Sequence, residues 1–134
     1  VSNNSVRPAD LPDLIAAVVA GAPAAGVAPG VPDSSRPAWT LHGKPVSNDL
    51  TSDTVATLPV ERVAGPILLV CGGRDAIWDS CDHSTALADR LRSHHRQAPT
   101  VLSYPDAGHS VDGLTPYRPT VSTSVRTAGG TVET

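Results

Sequence analysis

The sequence predicts an α/β fold in which two parallel strands are joined by a crossover helix, and three observations carry this reading. Residues 66–71, Pro-Ile-Leu-Leu-Val-Cys, form an uninterrupted apolar run ended by Gly72-Gly73. That is the pattern of a strand covered on both faces, where no polar alternation is needed. Residues 79–95 follow, with Asp79 or Ser80 available as a helix cap and Leu87 and Leu91 four apart on one face. Residues 100–104, Thr-Val-Leu-Ser-Tyr, then make a second strand between Pro99 and Pro105. Strand, helix and strand of these lengths form a right-handed crossover unit.

The other segments are less periodic. Residues 14–20, Leu-Ile-Ala-Ala-Val-Val-Ala, are entered through Pro12 and left through Gly21 and Pro23. They predict a strand buried on both faces, with helix as the competing assignment because of the alanines. Between residues 21 and 65, six prolines and few periodic apolar positions predict an extended connection with one short helical turn at 59–63. Connections of that length tend to be functional or to wrap a missing surface. On the helix, Asp89, Arg90 and Arg92 read as facing water. Past Val111 the composition turns to Thr, Ser, Gly and Pro, so 112–134 reads as loop or disordered tail.

Composition sets limits. A chain of 134 residues holds one domain at most, and with no Phe, no Met, two Trp and two Tyr its core must be built from Ala, Val, Leu and Ile. A net charge of −3 without a Lys/Arg cluster argues against nucleic acid as a partner. The longest apolar run, 14–20, is far short of the ~20 residues that cross a bilayer, so no membrane is expected. A chain without Met that begins at Val1 reads as a piece of a longer product, whose targeting segment would lie upstream. Cys71 and Cys81, in so Cys-poor a chain, read as free thiols, with Cys71 an inert core residue.

The chemistry-bearing residues gather after the two strands. Gly72-Gly73-Arg74-Asp75 follows the first and Asp106-Ala107-Gly108-His109 the second. Loops at the carboxyl ends of parallel strands form the edge where open α/β sheets bind ligands. Neighbouring strands lie ~4.8 Å apart, so a carboxylate and an imidazole from these loops can meet. A histidine acting as general base needs a fixed tautomer, and a carboxylate accepting its Nδ1–H supplies it. Asp75 and His109 fit that pair, and Gly108 lets the loop turn sharply before the ring. The same residues also fit an ordinary turn and a solvated surface histidine, and spacing leaves both open.

Cys81, Asp82, His83, His94 and His95 do not add up to a metal site. His83 and His94 would stand about 16 Å apart along one helix, against ligand distances of about 2 Å. Trp39 and Trp78 either line a substrate path or, more simply, anchor loops.

Two stretches carry a resemblance: "GPILLVCGGRDAIWDSCDHSTALADRLRSHHRQAPTVLSYPDAGHSV" at 65–111 and "AWTLHGKP" at 38–45. They resemble the C-terminal domain shared by acyl-CoA thioesterases and bile acid-CoA:amino acid N-acyltransferases, within the α/β-hydrolase superfamily. The resemblance implies that Asp75 is the acid and His109 the histidine of a Ser/Cys-His-Asp triad, that the substrate is acyl-CoA or a related thioester, and that no cofactor is needed. Family members often carry a second acid where Arg74 stands here. In such folds the nucleophile sits on a Gly-x-Ser-x-Gly-like elbow. Here the only glycines four apart, Gly26 and Gly30, flank Ala28. The resemblance therefore implies a partial α/β-hydrolase domain, incomplete at both ends and inactive alone. Its nucleophile would come from a missing N-terminal half or a partner chain. N-acyl transfer to an amino acid, and a non-enzymatic interaction fragment, are the alternative readings. A cytoplasmic location follows from the intracellular substrate and the sparse cysteines.

Overall fold

The computed structural model describes residues 15–30, 35–48 and 56–112. Of the predicted tail at 112–134, Asp112 instead closes a 3-10 turn that begins at His109, and 113–134, like Leu14 and the residues before it, lie outside the described residues. Three parallel strands make the main sheet: β1 (Val18–Gly21), β4 (Ile67–Gly72) and β5 (Thr100–Tyr104), in the order β1-β4-β5. A two-stranded antiparallel hairpin, β2 (Thr40–Leu41) and β3 (Lys44–Pro45), precedes β4, and one helix, α1 (Ser80–Ser93), joins β4 to β5.

The crossover unit follows the sequence pattern closely. β4 and β5 pair in parallel with Cys71 opposite Ser103 and Gly72 opposite Tyr104, so both strands end level and release their loops at one sheet edge. Asp79 caps α1, its Oδ1 accepting from the Asp82 N–H at 3.3 Å. At the other end His95 takes a left-handed φ of 54°, Arg96 N–H reaches Leu91 O and His95 N–H reaches Arg92 O. This is a Schellman closure that satisfies carbonyls the last turn would otherwise leave open.

The core is small-residue packing, as the composition requires. Ala25, Ala56, Leu69 and Leu87 form its buried centre, with Ala20, Val60, Ile67 and Ala86 packed around them. Full burial of each leucine there contributes on the order of 1.5–3 kcal/mol. The expected short turn is present as a 3-10 turn at Val60–Arg62.

Four expectations need correction. β1 is shorter than residues 14–20 and is not covered on both faces, since Val19 is 53% exposed. Among the described residues it is an edge strand with β4 on one side only, and Val19 points to the opposite face from the half-buried Val18 and Ala20. The connection is not wholly extended, because His42 and Gly43, at φ 50° and 75°, make the two-residue turn of the β2–β3 hairpin. Positive φ at both central residues is what a type I′ turn requires.

Arg90, read as facing water, instead grips Glu61 through Nε and Nη2 at 2.6 and 2.8 Å and donates Nη1 to the Ala56 carbonyl at 3.0 Å. This fork holds the Glu61 carboxyl down to about 2. Finally, Cys71 and Cys81 are not free thiols but a disulfide with Cα atoms 5.0 Å apart. The loop at 72–80 doubles back, Ser80 Oγ exchanging hydrogen bonds with Gly72 N–H and O at 3.3 and 3.4 Å. The first turn of α1 therefore stands over the end of β4, a proximity that ten positions of sequence do not reveal. No helix among the described residues is long and apolar enough to cross a membrane.

Candidate active site

The loops leaving β4 and β5 are laced together by their backbones. Gly73 N–H donates to Tyr104 O at 2.9 Å, Arg74 N–H to Ala107 O at 2.9 Å, and Ala107 N–H to Tyr104 O at 3.1 Å. Gly72 makes this close approach possible, since a Cβ there would stand 2.5 Å from the carbonyl oxygens of both Ala107 and Gly108. Arg74 and Asp106 pair across the outside of the two loops at 3.1 Å. With both loops fixed to each other, the side chains they carry have little freedom in separation.

Asp75 and His109 meet at the centre of this junction. His109 Nδ1 lies 2.9 Å from Asp75 Oδ2 and 3.0 Å from Oδ1. The Asp75 side chain is only 1% exposed, while that of His109 is 27% exposed. Asp75 Oδ1 also accepts the backbone N–H groups of Ile77 and Trp78 at 2.9 and 3.3 Å. An ionised carboxylate has acceptors only, so His109 must donate its Nδ1–H, leaving Nε2 as the basic nitrogen of the ring. His109 opens a short 3-10 turn, His109–Asp112, that packs against β4 and β1.

Trp78 anchors its loop to the end of β1. Its indole Nε1–H donates to the Ala22 carbonyl just beyond β1 at 3.1 Å. It also touches His109: the ring centroids are 4.4 Å apart and the planes nearly perpendicular at 86°. Nothing in the spacing of Trp78 and His109 signals that contact. Trp39 sits half-buried beside the hairpin, with its carbonyl accepting from Val46 N–H.

Of the remaining polar candidates, His83 is 5% exposed and its Nδ1 has no hydrogen-bond partner among the described residues. Burial pushes its pKa below the usual histidine value, and the nearby carboxylates of Asp79, Asp82 and Asp75 oppose that shift only in part. His94 and His95 lie exposed at the end of α1. Among the described residues no group of three His, Cys, Asp or Glu is arranged to hold a metal ion.

Comparison with known proteins places this junction in context. Mouse peroxisomal succinyl-coenzyme A thioesterase is 38% identical over 77 residues, 53% of this chain and 18% of that protein. Mouse acyl-coenzyme A amino acid N-acyltransferase 1 is 44% identical over 62 residues, 46% of this chain and 14% of that protein. Human acyl-coenzyme A thioesterase 2, mitochondrial, is 31% identical over 78 residues, 58% of this chain and 16% of that protein. The chain thus spans less than a fifth of the length of these curated relatives. The expected cytoplasmic location gains nothing here, since two of the three are named for other compartments and the cysteines are bridged. The family model described as BAAT / Acyl-CoA thioester hydrolase C terminal, an α/β-hydrolase-type domain, matches residues 39–132. That match takes in β2 through β5 with α1 and both laced loops, and the chain belongs to this family.

Proposed function

We propose that this chain supplies the acid and the histidine of an acyl-transfer triad in an enzyme that cleaves acyl-CoA thioesters. The observation that carries the reading is the bond from His109 Nδ1 to the buried carboxylate of Asp75. Asp75 holds the ring in one tautomer and stabilises the imidazolium as it forms. Nε2 takes the proton of a Ser or Cys nucleophile attacking the thioester carbonyl, then returns it to the leaving thiolate of CoA. Water resolves the acyl-enzyme in a thioester hydrolase. An amino acid amine resolves it in an N-acyltransferase, the second reading, favoured by the 44% identity to the mouse N-acyltransferase.

No nucleophile elbow occurs in the 134 residues. We therefore assign the nucleophile to a preceding segment or a partner chain, and the 134 residues to a partial α/β-hydrolase domain. Losing the nucleophile of a triad costs about 10⁶-fold in kcat, so the chain alone should release no CoA above background.

The test joins the full chain to the part of the mouse succinyl-coenzyme A thioesterase that precedes the matched stretch, and follows CoA release. Turnover should appear in the joined protein and fall about 10⁴-fold on Asp75→Asn. Turnover by the chain alone that vanishes in His109→Ala would overturn the assignment of the nucleophile. Full turnover of the joined protein carrying His109→Ala would overturn the relay.

A further inference from the structure

We propose that Trp78 is a positioning residue for His109, fixing the plane of the imidazole and hence the direction of Nε2. The proposal rests on the reading of Asp75 and His109 as the relay. A single hydrogen bond holds one ring atom but leaves rotation about its own axis. Here the Nδ1–H is shared between both oxygens of Asp75 at 2.9 and 3.0 Å, so it is less directional than a single linear bond. Something else must set the ring plane. The nearly perpendicular indole at 4.4 Å does so, in the edge-to-face arrangement that aromatic quadrupoles favour.

The indole can act as a reference surface only if it is itself immobile, and it is held from two directions. Its Nε1–H is tied to Ala22 O, and its backbone N–H is tied to Asp75 Oδ1. Ala22 is in turn a fixed post. It is 2% exposed, its N–H donates to Val70 O at 2.8 Å, and it sits at φ 43° in the left-handed region. A non-glycine residue is disfavoured there and persists only where its surroundings demand it. Trp78 therefore touches both relay residues: Asp75 through its backbone and His109 through its ring. It joins them to the end of β1, a strand neither residue belongs to.

The test uses the full chain labelled with ¹⁵N-histidine and reads exchange of the His109 Nδ1–H with water. Trp78→Leu should raise the exchange rate about tenfold or more, and Trp78→Phe, which restores an aromatic face, should recover at least half of that loss on a logarithmic scale. Unchanged exchange in Trp78→Leu, or equal loss in both variants, would overturn the proposal. A second measurement needs no change at Trp78. In Trp39→Phe the sole remaining tryptophan is Trp78, and its fluorescence should be quenched as His109 takes a proton, with the midpoint of the His109 ¹⁵N titration. Fluorescence indifferent to that titration would also overturn it. In the joined enzyme, Trp78→Leu should lower kcat about tenfold with KM within twofold. If Asp75→Asn keeps full turnover there, the relay reading fails, whereas loss on Asp75→Asn with none on Trp78→Leu sinks this inference alone.

Discussion

Gly72→Ala tests whether the lacing of the two loops sets the geometry of Asp75 and His109. The new methyl carbon would lie 2.5 Å from the carbonyl oxygens of Ala107 and Gly108, where ordinary contact begins near 3.4 Å. Both obstacles are backbone, so neither can swing aside as a flexible side chain would. The loop must withdraw by roughly 0.9 Å to restore contact distance. His109 follows Gly108 directly, and its Nδ1 begins 2.9 Å from Asp75 Oδ2. Hydrogen bonds of this type are confined to about 2.7–3.2 Å, so a displacement of that size breaks or badly weakens the bond. Overpacking of this kind destabilises by about 1–3 kcal/mol, and misplacing a catalytic group by about 1 Å costs about 10²-fold in rate. The assay is the low-field proton resonance of the His109 Nδ1–H in the folded chain, paired with urea unfolding. The resonance should vanish while the amide spectrum stays folded. A Gly72→Ala chain with the wild-type resonance and unchanged stability would refute the reasoning.

Three further outcomes follow from the same structure. Arg90→Met strips both fork bonds from Glu61 and one from Ala56 O; with Glu61 17% and Arg90 27% exposed, solvent screening limits the loss to about 1–2 kcal/mol. A urea double-mutant cycle with Glu61→Gln should show the two residues coupled. Reducing Cys71–Cys81 reopens a loop of ten-residue separation, which by chain entropy costs about 3 kcal/mol. Thiol reagent should label the denatured chain only after a reductant is added. For pH, the folded state holds His83 below its ordinary value of 6.5. Stability is then level above about 6.5 and falls at lower pH, where the unfolded chain takes a proton the folded one resists, until the folded pKa is passed. Glu61 adds a separate loss between 4.5 and about 2, and His83→Leu should remove the first slope in urea unfolding while leaving the second.

The sequence by itself determined what depends on local pattern. The apolar run at 66–71, the capped amphipathic stretch from Asp79 and the run at 100–104 became β4, α1 and β5 with boundaries shifted by two residues at most, because an extended run bounded by turn residues and a one-faced helix each write their pattern into adjacent residues. The meeting of Asp75 and His109 was legible for the same reason: parallel strands ending level must release their loops together. What only the tertiary structure decided were contacts between segments without a common period. The Cys71–Cys81 bridge, the grip of Arg90 on Glu61 and Ala56, the seat of Trp78 between Ala22 and His109, and the passage of two carbonyls over Gly72 all join such positions. Each depends on how a loop turns in three dimensions, and on where α1 comes down on the sheet. Those are set by packing the whole chain and leave no mark in the spacing of neighbouring residues.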